Sequence, residues 1–144
     1  MPPDAGRQKE AAVSVAGQML ETYGKDLGGI DKDKLRACIA CYECAQACIA
    51  CADACLSEDM LAELAKCIST DLDSADVCEA TWRVLSRHTG YDANLTRTEA
   101  CAVACKSCGD ECDSHAGMHE HCRVCAQACR RCEQACRDLI ASMN

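Results

Sequence analysis

The chain has 144 residues, enough for one domain with a buried core, yet the usual core material is scarce: no Phe, one Trp and three Tyr stand beside 17 Cys. The formal net charge of −8 disfavours nucleic acid and anionic membrane surfaces as partners. Acidic and basic residues are interspersed as on a solvated surface, so the interior must be filled by thiols, which bury as small hydrophobes.

The N-terminal stretch MPPDAGRQKEAAVSVAGQML has no basic start followed by a continuous apolar run, and no segment approaches the roughly 20 apolar residues of a membrane span. The expectation is a cytoplasmic protein with reduced thiols. Residues 8–24 are expected to form a short amphipathic helix through Val13, Ala16, Leu20 and Tyr23, ended by GKDLGG. Asp31 can cap a long helix running to about residue 55. Ser57, followed by Glu58 and Asp59, is a candidate start for a second helix over about 58–88, which Gly90 stops. YDAN leads into a third helix over about 95–114, HAG breaks it, and a fourth runs over about 119–142. Short loops between long helices make neighbours antiparallel. The expected fold is therefore all-α: an up-down-up-down four-helix bundle over residues 31–144, preceded by an extension over residues 1–30 that carries a short additional helix.

The cysteines fall on these helices with helical periodicity. The first carries Cys38, Cys41, Cys44, Cys48, Cys51 and Cys55; the third Cys101, Cys105, Cys108 and Cys112; the fourth Cys122, Cys125, Cys129, Cys132 and Cys136. Steps of three or four residues keep each set on one helical face, where a bundle has its core seam. The second helix supplies Cys67 and Cys78, eleven residues apart and so on one stripe, which Leu64, Asp71 and Leu85 share. An odd count and intrahelical neighbours, whose Cβ atoms stand about 5–6 Å apart, argue against a disulfide framework.

CIACYECAQAC, residues 38–48, reproduces the C-x2-C-x2-C-x3-C opening of a bacterial ferredoxin run, with Ile49 where proline is usual. Its spacers are helix formers, and CRVCAQACRRCEQAC repeats the arrangement without a loop residue. The match follows from helical periodicity. Among metals that thiols hold, Zn²⁺ on four thiolates leaves two uncompensated negative charges per site, and the seam offers no Lys or Arg to balance them. Cu(I) is soft, accepts two or three thiolates, and at one ion per bridging thiolate is electrically neutral. The C-x3-C pairs 44/48, 51/55, 101/105, 108/112, 125/129 and 132/136 can each clamp an ion on one helix. Zinc buffering and iron–sulfur electron transfer are the alternatives. No nucleophile–base arrangement or phosphate loop marks an enzyme.

On these motifs the chain resembles the cytosolic branch of the copper storage proteins, Cys-lined four-helix bundles, over about residues 32–142. The resemblance implies storage of many Cu(I) ions inside the bundle, a homotetramer, and an additional short helix in the N-terminal 30 residues. A copper donor or acceptor protein is a conceivable further partner.

The loops after the first and third helices lie at one end of such a bundle. They offer Met60 and the segment SHAGMHEHC, with His115, Met118, His119 and His121. Imidazole and thioether are neutral donors weaker than thiolate, suited to passing ions inward, and His115, Met118, His119 and Met60 join the seventeen cysteines as candidate ligands. The other end, with Trp82, Leu85 and Leu139, is expected to be an apolar plug offering only His88. Asp71 is expected either to contact copper or to turn to the flank. Gly109 is a weak helical point that gives close helix approach or room for metal. Tyr42 and Tyr91 carry no chemistry.

Overall fold

The computed structural model describes residues 14–96 and 98–143. The helices are α1 (Val15–Thr22), α2 (Lys32–Ile39), α3 (Cys41–Leu56), α4 (Leu61–Leu85), α5 (Ala93–Thr96), α6 (Glu99–His115) and α7 (Glu120–Ser142), with no strand among the described residues. α3 lies along α4, α4 along α6, α6 along α7, and α7 along α3, which closes a four-membered ring. The turns over residues 57–60 and 116–119 are too short for anything but antiparallel neighbours.

Local chemistry explains the helix ends. Ser14 caps α1 through the Gly17 N–H at 3.1 Å. The expected helix began earlier, at residue 8; residues 8–13, Val13 included, lie outside the described residues. Asp31 caps α2 by accepting from the Lys34 N–H at 2.9 Å. The first long helix is not continuous, however: Ala40 has ψ of 1°, which separates α2 from α3. Two successive three-residue steps precede Cys44. At about 100° per residue, Cys38 on an unbroken helix would stand about 110° from the mean direction of Cys44, Cys48, Cys51 and Cys55. The break at Ala40 restores the register, and Cys38 and Cys41 are both buried.

Three further boundaries differ from the sequence expectation. Ser57 ends α3 instead of starting α4, which begins at Leu61 without a side-chain cap. α4 closes at Leu85, before His88 and Gly90, and the positive φ of 64° at Gly90 belongs to the following turn. The third helix begins at Glu99, because Thr98 has φ of 55° and parts it from the one-turn α5.

The interior is sulfur along most of its length and aliphatic at the end away from the short turns. Leu20, Leu35, Ile39, Leu85 and Leu139 are buried there beside Cys38 and Cys136. Trp82 only flanks this plug: its indole N–H donates to Glu79 Oε2 at 2.9 Å and Arg83 covers its ring. Gly109 makes room for neither metal nor backbone. A Cβ there would meet the Arg130 guanidinium at 3.2 Å, and that group ties α7 to α6 through Asp110 and Asp113 at 2.7 Å each.

The segment Lys32–Leu56 does reach the length and hydropathy of a membrane span, contrary to the sequence expectation. Its hydropathy comes from Cys, Ala and Ile, its cysteines all face the other helices, and the break at Ala40 interrupts it. Those features are of a bundle's core helix.

The Asp31 cap provides a test of how much local chemistry contributes. Asp31→Ala should lower unfolding stability by about 1 kcal/mol, while Asp31→Ser stays within a few tenths of a kcal/mol. Denaturant titration of the reduced protein measures both.

Candidate metal centre

All seventeen cysteines are free and buried, and their sulfurs form a continuous column along the bundle axis. At the aliphatic end Cys38 Sγ is 3.5 Å from Cys136 Sγ. Next come Cys78 with Cys105 at 3.5 Å and Cys101 at 3.6 Å, and Cys101 with Cys132 at 3.8 Å. Cys44 then meets Cys129 at 3.7 Å and Cys105 at 3.8 Å, and Cys48 meets Cys129 at 3.7 Å and Cys108 at 3.8 Å. Toward the short turns, Cys67 stands 3.7 Å from Cys112, and Cys51 3.8 Å from Cys122.

The sequence expectation emphasised clamps on a single helix, and two of them, Cys44–Cys48 and Cys108–Cys112, have sulfurs 3.9 Å apart. The tightest contacts run between helices instead. Four sulfurs from four helices converge at Cys44, Cys78, Cys105 and Cys132, with every pair within 4.8 Å; Cys48, Cys108, Cys125 and Cys129, from three helices, form a second set within that distance, and Cys51, Cys55, Cys67 and Cys122, also from three, a third. With a metal–thiolate bond of about 2.3 Å, the zinc value, one ion can bridge sulfurs up to about 4.6 Å apart. The column is spaced for ions between nearly every pair of neighbours.

Two polar side chains interrupt the sulfur. Asp71 is fully buried and does not turn to the flank. Its Oδ1 accepts from Cys108 at 3.0 Å, Cys125 at 3.3 Å and Cys112 at 3.4 Å, and its Oδ2 faces Cys67 at 3.9 Å. It completes two candidate metal sets, with Cys51, Cys67 and Cys112 and with Cys108, Cys112 and Cys125. The eleven-residue stripe of α4 placed Asp71 in sequence with Cys67 and Cys78, so the signal was there; its orientation was not. Ser74, which sequence reasoning missed, lies 3.9 Å from the sulfurs of Cys78 and Cys105, and its spacing of four residues from Cys78 was the available sign.

Electrostatics follow from this crowding. Contacts among the thiols pull the pKa down at Cys44, through Cys105 and Cys129, and push it up at Cys132 and Cys105, through Cys101. Cys38 is raised by its bond to Cys136 and by burial, and Cys55 is raised by burial to about 11. Among the described residues the buried set contains no Lys or Arg. Without a cation the column as a whole keeps its protons, because additional thiolates would stand unpaired in low dielectric.

At the short-turn end the histidines divide. His121 Nδ1 lies 3.4 Å from Cys51 Sγ and 3.6 Å from Cys122 Sγ, so this imidazole continues the sulfur column. Burial opposes its protonation, but bonds to Cys51 and Glu58 outweigh that and raise its pKa. His119 Nδ1 faces Glu58 at 3.5 Å, and His115 Nε2 pairs with Glu111 at 3.1 Å. Met118 is 68% exposed and Met60 38% exposed, and both stand on the rim. At the opposite end His88 is bonded to the Tyr91 hydroxyl at 2.6 Å, so Tyr91 helps to close that end.

The family model described as copper storage protein matches residues 31–141. The structure of the copper storage protein Ccsp from Streptomyces lividans loaded with 10 copper equivalents is similar with a TM-score of 0.86 and 63% identity, covering 89% of this chain and 99% of that one. A cytosolic copper storage protein from Streptomyces lividans with five coppers has a TM-score of 0.74 and 67% identity, covering 76% of this chain and 93% of that one. The uncharacterized cysteine-rich protein YhjQ of Bacillus subtilis is 36% identical over 106 residues, 73% of this chain and 94% of its own length.

The buried carboxyl of Asp71 sets a pH dependence. Burial, then the bond and charge of Cys108, raise its pKa from 3.8 to about 9. Between those values the folded chain holds a proton that the unfolded chain has released, so stability falls as pH rises, by about 1.4 kcal/mol per pH unit for one proton. Asp71→Asn should flatten the slope of unfolding free energy between pH 5 and 8 in reduced, metal-free protein, and should be the more stable form at pH 8. Parallel slopes in the two proteins would count against a protonated Asp71.

Proposed function

This chain belongs to the copper storage protein family, and on that premise we propose that it holds about one Cu(I) per cysteine along its sulfur column, as a copper reserve of the cytoplasm. The observation that carries the reading is a continuous set of buried sulfurs with no buried cation beside them among the described residues. Each Cu(I) that binds replaces a thiol proton, so the column stays neutral at every stage of filling. Zinc held by four thiolates would add two negative charges per site, which favours copper over zinc buffering.

The seventeen cysteines are the ligands in this reading, and Asp71 is a candidate oxygen donor within the column. His121 serves as the innermost neutral donor of the mouth, with His115 and His119 behind it and Met118 and Met60 on the rim. No reaction is assigned to the protein: the thiols act as ligands, and none stands apart with a general base. The cytoplasmic assignment is supported by the Streptomyces lividans relative, which is cytosolic. A homotetramer is supported by the family resemblance and by exposed apolar side chains on the outer faces of the bundle: Ile49, Leu72, Val103 and Val124. A copper donor or acceptor would meet the mouth.

Anaerobic titration of the reduced protein with Cu(I), competed against a Cu(I)-specific chelator, should saturate at roughly 15–20 ions per chain if thiolates bridge neighbouring ions. Saturation at four or five would establish isolated four-thiolate sites instead. The protonated thiols are neutral and already packed, so far-ultraviolet circular dichroism of metal-free protein should show the helices, and copper should raise the melting temperature without adding helix.

A further inference from the structure

Two carboxylates stand among the donors of the mouth: Glu111 pairs with His115, and Glu58 with the two deeper histidines. Glu58 sits in the turn between α3 and α4 and reaches the turn between α6 and α7. Its Oε1 is 3.1 Å from His121 Nε2 and 3.5 Å from His119 Nδ1. The two imidazoles stack with centroids 5.5 Å apart and planes 26° apart. The other nitrogen of His121, Nδ1, faces Cys51 and Cys122 at 3.4 and 3.6 Å.

Hydrogen-bond accounting then determines which nitrogen is free. A neutral imidazole has one N–H and one lone pair, and an ionised carboxylate can only accept. In the neutral ring the proton of His121 therefore sits on Nε2, toward Glu58, which leaves the Nδ1 lone pair pointing at the sulfurs. Without that acceptor the ring has no reason to prefer this tautomer, because sulfur accepts hydrogen bonds as well as donating them. Carboxylates that orient metal-binding imidazoles in this way also make them more basic donors.

We propose that Glu58 is the positioning residue of the mouth: its carboxylate holds His121 in the Nε2–H form and aims Nδ1 at the gap between Cys51 and Cys122, so that His121 receives Cu(I) and passes it to sulfur. The transfer moves no electrons. A Cu–Nδ1 bond forms first; a Cu–S bond to Cys51 then forms as the thiol proton leaves to solvent, and the Cu–Nδ1 bond breaks. Throughout, Nε2 keeps its proton and donates it to the Glu58 carboxylate. The inference rests on the copper-storage reading for its purpose, but the tautomer is a property of the metal-free protein.

The test compares Glu58→Ala, Glu58→Gln, His121→Ala and the Glu58→Ala/His121→Ala pair. Nitrogen-15 imidazole shifts of reduced, metal-free protein near pH 8 should show His121 as Nε2–H in the parent and in Glu58→Gln, and a mixture of tautomers in Glu58→Ala. The initial rate of Cu(I) transfer from a coloured chelator complex should fall about tenfold or more in Glu58→Ala and stay within about threefold of the parent in Glu58→Gln. In the His121→Ala background, Glu58→Ala should have no further effect. The proposal is overturned if the tautomer is unchanged in Glu58→Ala, if Ala and Gln slow transfer equally, or if the two substitutions act additively. Failure of the parent protein to bind many copper ions would overturn the storage reading instead, while the imidazole shifts would still decide what Glu58 does.

Discussion

Seventeen thiols packed into a core that holds no buried Lys or Arg among the described residues can ionise extensively only where positive charge arrives to balance them. That constraint governs the rest of the molecule. It keeps the column protonated when no metal is bound, and it selects a soft monovalent ion, which exchanges one for one with protons, over a divalent ion that leaves surplus charge. Helical geometry supplies the sulfurs at a spacing that lets them share ions, so the capacity is a property of the whole column. No single site has to be strong or specially shaped.

Filling a core with thiols has a structural consequence. Cysteine is small, and a column of it contributes less apolar burial per residue than the leucines of an ordinary bundle seam, each worth about 1.5–3 kcal/mol when fully buried. The large aliphatic side chains that remain are gathered mainly at one end, where Leu20, Leu35, Ile39, Leu85 and Leu139 close the bundle with help from α1. Outside, ion pairs link neighbouring helices, as Arg130 does with Asp110 and Asp113 and Arg36 with Glu21. The other end has no such plug. It presents imidazoles, carboxylates and exposed thioethers, groups that water and ions can reach. The two ends of one four-helix ring thus differ in chemistry: one is closed by dispersion and hydrophobic burial, the other is lined by polar and thioether side chains.

Asp71 shows how the same environment treats oxygen differently from sulfur. Three thiols face one of its oxygens; burial, then the bond and charge of Cys108, outweigh the opposing bond from Cys125, so the carboxyl keeps a proton far above the usual carboxylate range. His121 is at the opposite extreme, partly exposed at the end of the column, where bonds to Cys51 and Glu58 raise its basicity against the effect of burial. The column therefore runs from sealed, purely sulfur surroundings through a protonated carboxyl to a wet imidazole. Each step is set by how much water the neighbouring side chains exclude.

Much of this was legible in the chain itself. Cysteines at steps of three and four residues name the inward face of each helix whatever packs against it, because that periodicity is a property of one helix alone; the sulfur-lined interior, the all-α fold and the preference for Cu(I) follow from the pattern and from charge. Tertiary structure decided what depends on more than one helix. The break at Ala40 arises because Cys38 must share an interior with the other helices, and the closest sulfur pairs cross between helices. Gly109 is read only through Arg130 of the neighbouring helix, and Trp82 finds its partner at the surface instead of in the plug. Asp71 and His121 gain their roles from thiols that lie 37 and 70 residues away in the chain. A periodicity says which way a side chain faces; only the packed bundle determines what it meets there, because distance, burial and hydrogen-bond partners are properties of pairs.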